Sequence, residues 1–148
     1  MESDVNILVV DDSRPLRNFV VQAIADREGF TPLEASDGAE GLEMARSEMP
    51  DLMLLDLEMP RLNGIQVLDA LNEEAVDIPV ILMTSHGSET IAVEVFRRGV
   101  RDYLIKPFHA DDMFTVIDHA LTEIHLRREK EALTEHLAEA NQSLKQRV

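Results

Sequence analysis

Over residues 1–124, short apolar runs alternate with longer segments of mixed polarity. The short runs hold three or four residues each, which is too few for helices, so we predict that they are strands. Three of them are apolar without interruption, as is typical of parallel strands covered by helices on both faces. The five predicted strands are residues 7–10, 31–33, 52–55, 80–83 and 103–105.

Helix start and stop signals separate these strands. Ser13 followed by Pro15 indicates the first helix start and Gly29 its end, while Asp-Gly and Asn-Gly pairs precede two later helices. The later predicted helices are residues 39–48, 65–73 and 89–98. Five strand–helix units in this order predict an α/β fold, a doubly wound parallel sheet with right-handed crossovers.

The C-terminal segment has a different pattern. Residues 111–148 contain no Gly or Pro, which predicts one helix of roughly 55 Å at about 1.5 Å per residue. Beyond residue 124, Lys130 and a series of apolar residues follow the heptad spacing of a coiled coil: Leu126, Leu133, Leu137, Ala140 and Leu144. We predict a domain over residues 1–124 and a helical coiled-coil linker over residues 125–148. A fraying polar tail is the alternative, because short isolated helices are marginally stable.

The net charge of −15 lies entirely in the first part of the chain. Residues 1–121 hold 24 acids and 9 bases, whereas residues 122–148 hold 5 of each. Such an acidic surface repels a phosphate backbone, so direct nucleic-acid binding is not expected. The chain has no Cys, no basic region at its start and no apolar stretch of about 18 residues. We therefore expect a soluble, cytoplasmic protein without a membrane span.

Polar residues follow the predicted strands at the edge where parallel sheets usually carry function. Asp11 and Asp12 follow the first strand, Asp56 the third, Thr84 the fourth and Lys106 the fifth. Three carboxylates at one edge repel each other unless a cation lies among them, and oxygen ligands suit Mg²⁺. An acceptor carboxylate, a metal, a hydroxyl and an ammonium are together the groups that phosphoryl transfer requires.

The blocks around these residues resemble the receiver domain of two-component response regulators. They are Val-Val-Asp-Asp at 9–12, Leu-Leu-Asp-Leu-Glu-Met-Pro at 54–60, Met-Thr-Ser at 83–85 and Tyr-Leu-Ile-Lys-Pro-Phe at 103–108. The resemblance covers residues 4–124. It implies a flavodoxin-like fold with strand order 2-1-3-4-5. It also implies a protein that accepts a phosphoryl group from a histidine kinase or phosphotransfer protein, and is not a conventional enzyme.

The resemblance also assigns roles at the acidic edge. Asp56 would be the phospho-acceptor, and Lys106 would bind the phosphoryl oxygens. Mg²⁺ would be held by Asp11, Asp12, Asp56 and the main-chain carbonyl of Glu58.

Further roles concern switching and phosphoryl lifetime. Thr84 would move to the phosphoryl group, and Tyr103 would turn inward to fill the space, changing the surface of the last two helices and the fifth strand. A core position is the alternative for Tyr103. The bond to Pro107 would be cis. Glu58 and His86 depart from the commonest pattern of the family and flank the path of the attacking water, so they would tune autodephosphorylation.

Alternatives remain at this point. A Mg²⁺-dependent phosphatase of the haloacid dehalogenase type uses similar groups, but there the nucleophile comes first in the chain and the acidic pair last. A receiver used purely for dimerisation is a second alternative. Such a module would lack the acceptor aspartate, whereas Asp56 is present here. Downstream, we expect the linker to form a parallel homodimer and to control an output domain or partner protein. A single-domain regulator acting by protein contact is the alternative.

Overall fold

Five parallel strands form one sheet in which the strands, numbered along the chain, have the order 2-1-3-4-5, as predicted. The computed structural model describes residues 4–146, with side chains over residues 4–140. The strands run one to three residues longer than their apolar runs, because flanking residues such as Val5 and Phe30 also pair across the sheet. Their bounds are β1 (Val5–Val10), β2 (Phe30–Ala35), β3 (Leu52–Asp56), β4 (Val80–Thr84) and β5 (Asp102–Ile105).

Helices connect the strands and cover both faces of the sheet. Side chains cap three of them: Asp37 accepts from the Glu40 N–H, Ser88 accepts from the Ile91 N–H, and Asn63 forms a capping box. The first helix ends earlier than Gly29 predicted, at Ala25. The helices are α1 (Arg14–Ala25), α2 (Gly38–Glu48), α3 (Gly64–Glu73), α4 (Glu89–Arg97) and α5 (Ala110–Gln146).

The core consists of two apolar layers, one on each face of the sheet. Alternate residues of β3 belong to different layers, as the pleat of a strand requires. Leu52 and Leu54 pack with α1 and α5, whereas Met53 and Leu55 pack with α2, α3 and α4. All five residues of β3 are buried, which explains the uninterrupted apolar sequence of its first four.

Helix α5 packs on the sheet only over its first four turns. Met113, Ile117, Ala120 and Ile124 are buried, and every side chain over residues 125–140 is exposed. The long helix is therefore confirmed, and Ile124 is its last buried residue among the described side chains. Leu144 of the heptad series lies outside the described side chains, and residues 147 and 148 lie outside the described chain. Within residues 4–146, no helix is both long and apolar enough to cross a bilayer.

Candidate functional site

The polar residues expected to converge do meet at the carboxyl ends of the strands. Asp11 follows β1 directly, Asp56 ends β3, Thr84 ends β4 and Lys106 follows β5. Asp11, Asp56 and Thr84 are at most 1% exposed, and they are the buried polar residues among those that the structure describes. Burying carboxylates is costly without compensating partners, so this concentration indicates a functional site.

Lys106 supplies the compensating charge. Its Nζ lies 3.0 Å from Asp11 Oδ2 and 3.0 Å from Asp56 Oδ1, so one ammonium joins two buried carboxylates. The lysine is held in place by its own backbone N–H, which donates to the Thr84 carbonyl at 2.8 Å. The bond between Lys106 and Pro107 is cis, as the resemblance implied.

Asp11 is fixed from the side of α1. Its Oδ1 accepts from the Ser13 backbone N–H at 2.8 Å, and its carbonyl accepts from Arg17 Nη1 at 2.7 Å. Arg17 also contacts Glu34 at 3.3 Å. Sequence reasoning missed Arg17, although a basic residue one turn after Ser13, beside an acidic edge, was an available signal. Arg17 places a second cation close to the carboxylate cluster.

One ammonium does not neutralise this cluster. Burial raises the pKa of Asp56 to about 7; the Lys106 hydrogen bond opposes the rise, and the charge of Asp11 adds to it. Burial alone would lower the pKa of Lys106, but its bonds to Asp11 and Asp56 outweigh burial and raise it. Both partners thus bind protons more tightly than in water, Asp56 chiefly because it is buried and Lys106 because it bonds to two carboxylates.

The donor set fits a magnesium ion. Carboxylate oxygens of Asp11, Asp12 and Asp56 lie within 4.8 Å of one another. Asp12 is exposed, so it can carry water molecules as well as the ion on the solvent side. Hard oxygen donors, an open side for water and an unneutralised negative charge are the features that Mg²⁺ sites share.

The loop after β3 leaves no room for a side chain at Gly64. A Cβ there would lie 2.7 Å from the Asp56 carbonyl oxygen and 2.9 Å from Leu57 Cα. The Gly64 N–H instead donates to the Leu57 carbonyl at 2.9 Å, which closes the loop on Asp56. The sequence indicated this glycine only as a helix start, whereas the structure gives it a role in shaping the site.

Glu58 reaches across the site to the loop after β4. Its Oε1 accepts from the Thr84 hydroxyl at 2.5 Å and lies 3.4 Å from His86 Nδ1. Burial alone would raise the pKa of Glu58, but hydrogen bonds from Thr84, Ser85 and His86 lower it below its ordinary value. The sequence singled out Glu58 and His86 together, and the structure places them in contact with each other and with Thr84.

Tyr103 is half-buried at the side of the core. Its ring packs edge-on against Phe96, with centroids 5.8 Å apart and planes at 71°. Tyr103 also contacts the core layer that α2, α3 and α4 cover. This position is compatible with both interpretations made from the sequence, and the switching role stays a prediction.

The comparison with protein families now decides the class. The family description "Response regulator receiver domain" matches residues 7–118. The chain belongs to this receiver family. Receivers are phosphoacceptors rather than conventional enzymes, they typically bind Mg²⁺ at an acidic pocket, and they work with histidine kinases and output domains.

Relatives of this receiver differ widely in length. Protein PilH of Pseudomonas aeruginosa is 39% identical over 117 residues, covering 78% of this chain and 96% of PilH. DNA-binding transcriptional regulator NtrC of Proteus hauseri is 35% identical over 126 residues, covering 85% of this chain. The receiver spans 26% of NtrC and 9% of hybrid signal transduction histidine kinase D from Dictyostelium discoideum.

Solved structures agree on the fold. NtrX from Brucella abortus is 34% identical with a TM-score of 0.80, covering 88% of this chain and 30% of the NtrX chain. A CheY-like receiver domain protein from Methanospirillum hungatei is 26% identical with a TM-score of 0.78, covering 84% of this chain and 99% of that one. The flavodoxin-like order of strands predicted from the sequence is therefore confirmed.

Proposed function

We propose that this receiver accepts a phosphoryl group on Asp56 from the phosphohistidine of a histidine kinase or phosphotransfer protein. The observation that carries the proposal is the position of Lys106, whose ammonium bridges the buried carboxylates of Asp11 and Asp56 at 3.0 Å each. A cation held beside an acceptor carboxylate stabilises the charge on a transferring phosphoryl group.

In the transfer, an Asp56 carboxylate oxygen attacks the phosphorus atom of the donor. The new P–O bond forms as the P–N bond to the donor imidazole breaks, and the imidazole nitrogen keeps the electron pair. Lys106 exchanges a carboxylate contact for a phosphoryl oxygen. Bound Mg²⁺ would supply further positive charge for the phosphoryl oxygens. Asp11, Asp12, Asp56 and the main-chain carbonyl of Glu58 would hold it.

We also propose that the transfer alters the surface of the receiver. Thr84 would donate its hydroxyl to a phosphoryl oxygen, and Tyr103 would move into the space that Thr84 leaves. The proximity of Phe96 supports this assignment, because it connects Tyr103 to α4. Glu58 and His86 would set the lifetime of the acyl phosphate, since both lie beside Thr84 at the open side of the site.

The test is a mass measurement with a small phosphodonor such as acetyl phosphate. Wild-type protein with Mg²⁺ should gain the mass of one phosphoryl group, and Asp56→Asn should gain none. Chelation of the metal should prevent the gain. Asp77→Asn, which removes an exposed acid away from the site, should behave like wild type. An unmodified wild type, or equal modification of Asp56→Asn, would overturn the proposal.

For the remainder of the chain, we propose that residues 1–124 form the receiver and residues 125–148 a linker that pairs in parallel with a second copy. Leu126, Leu133 and Leu137 are 57%, 60% and 55% exposed along one heptad seam, which supports a helical partner. The balanced charge of residues 122–148 permits two copies to approach each other.

The linker would transmit the signal to an output domain or a partner protein. The long relatives such as NtrC, of which the receiver forms about a quarter, support an output domain. PilH, of which the match covers 96%, supports the alternative of a single-domain regulator that acts by protein contact. In either case we propose a cytoplasmic protein, because the donor histidine is phosphorylated with cytoplasmic ATP. We also propose that it does not bind nucleic acid directly.

A further inference from the structure

The hydroxyl of Thr84 is already engaged before any phosphoryl group arrives. It accepts from the His86 backbone N–H at 3.0 Å and lies 2.5 Å from Glu58 Oε1. A second acceptor, the His86 carbonyl, is farther away at 3.3 Å. Because a hydroxyl has one hydrogen to donate, and a carboxylate is the stronger and nearer acceptor, that hydrogen belongs to Glu58.

Glu58 is held on its other side as well. Its Oε2 accepts from the Ser85 backbone N–H at 3.4 Å, and its Oε1 lies 3.4 Å from His86 Nδ1. The side chain therefore links the loop after β3 to the loop after β4. Hydroxyl and N–H donors gathered around one anionic group form a binding site for an anion, and here Glu58 occupies it.

We infer that the Glu58 carboxylate is an internal competitor of the phosphoryl group for the Thr84 hydroxyl. Glu58 is in this role a positioning residue, which holds Thr84 and the loop after β4 in the unphosphorylated arrangement. The inference rests on the proposed function of Asp56. It goes beyond that function because it identifies one hydrogen bond that opposes the switch. Thr84 must break its bond to Glu58 before it can donate to phosphate.

Competition predicts that a shorter or uncharged side chain at position 58 raises the affinity for a phosphoryl analogue. Beryllofluoride with Mg²⁺ is the probe, since it imitates a phosphoryl group on an aspartate. Glu58→Ala removes both the acceptor and the charge. Glu58→Asp keeps the negative charge but is one methylene too short for the 2.5 Å contact to Thr84. Both variants should bind the analogue about tenfold more tightly, the value of one charged hydrogen bond.

The Asp variant distinguishes competition from simple repulsion. If the charge of Glu58 only repels the analogue, Glu58→Asp should bind like wild type. A second comparison uses Thr84→Val, which keeps the shape of the buried side chain and removes its hydroxyl. In a Thr84→Val background, the change Glu58→Asp should have no effect on affinity, because there is no longer a hydroxyl to compete for.

The readout is the bound fraction in a beryllofluoride titration, followed through the backbone amide resonances of Ser85 and His86. A gain of about tenfold in Glu58→Asp that disappears in the Thr84→Val background supports the inference. Equal affinities of wild type and Glu58→Asp, or a gain that persists without the Thr84 hydroxyl, would overturn it. Failure of wild type to bind at all, or binding by Asp56→Asn, would instead overturn the proposed function of Asp56.

Discussion

Asp56 lies between an ammonium that favours its negative charge and a buried carboxylate that opposes it. Burial and Asp11 together raise its pKa to about 7 from an ordinary value of 3.8, despite the contact with Lys106. Near neutral pH the carboxyl of Asp56 is therefore partly protonated in the metal-free receiver, whereas in the unfolded chain it would be ionised. Since attack on phosphorus requires the ionised carboxylate, neutralising the site with a divalent cation also prepares the nucleophile.

The raised pKa has a testable effect on stability. Between about pH 4 and about pH 7 the native state binds more protons at Asp56 than the unfolded chain, so the contribution of this group to the free energy of unfolding falls as pH rises. Asp56→Asn removes this effect. Without metal, its stability relative to wild type should therefore increase across that range, by an amount on the order of 3 kcal/mol. Urea unfolding at several pH values measures the difference, and a constant difference would contradict the assignment.

The strands and helices of this chain can be predicted from the sequence more accurately than its side-chain contacts. The strands were predictable because β3 and β4 are buried on both faces, so that every residue before their polar last residue, Asp56 or Thr84, is apolar. The ends of the strands were less predictable, because backbone pairing continues past the apolar residues. Helix α1 ended early because Gly29, with a φ of 90°, serves the entry into β2 and not the end of the helix.

The site was predictable to the extent that topology alone determines it. Residues that follow parallel strands meet at one edge, which brought Asp11, Asp56 and Lys106 together without any knowledge of side-chain conformations. The bond from Thr84 to Glu58 could not be foreseen in this way. It joins the end of β4 to the loop after β3, which are distant in sequence, and it depends on which rotamers the two side chains adopt.

The extended part of α5 has a weak point at Lys130. Flanking Leu126 and Leu133 continue the seam on either side, and a lysine at a core heptad position lowers the stability of a pair while fixing its register. The contacts His125–Glu129 and Arg127–Glu131 each join residues one turn apart on this helix, and such exposed pairs stabilise it only slightly. We therefore expect a dimer whose affinity is limited by Lys130.

Replacing this lysine tests the proposed pairing. Lys130→Leu should tighten dimerisation by about tenfold or more, since it adds apolar area to the seam. Glu135→Leu is the matched control, because it adds a leucine on the outer face of the same helix and should leave the affinity unchanged. Sedimentation equilibrium of both variants, with residues 1–124 as the monomer reference, gives the dissociation constants of the dimers. A monomer in every form would contradict the coiled coil.

At the scale of the whole molecule, the proposed switch would connect Asp56 to the exposed face of α4 through Thr84, Tyr103 and Phe96. The structure shows the last of these contacts, in which Tyr103 packs edge-on against Phe96. Tyr103 is the one tyrosine in a chain without tryptophan, so its fluorescence reports on this connection alone. Binding of beryllofluoride should change its emission, and Thr84→Val should bind the analogue with a smaller change. Unchanged emission of wild type at full occupancy would mean that Tyr103 takes no part in switching.

The charge is distributed unevenly over the two parts of the molecule. All of the net charge of −15 belongs to residues 1–121, and the buried carboxylates form its centre. The neutral segment beyond carries the exposed leucines. The proposed phosphoryl transfer and the proposed dimerisation would thus belong to separate parts of the chain, and a change in one part should leave the other measurable.

If Asp56 becomes an acyl phosphate, the modified residue can be identified chemically. Borohydride reduces an aspartyl phosphate to homoserine and leaves an unmodified aspartate unchanged. After reaction with a phosphohistidine donor and Mg²⁺, peptide sequencing by mass spectrometry should find homoserine at position 56 and aspartate at positions 11 and 12. Aspartate at position 56, or homoserine at another position, would contradict the account.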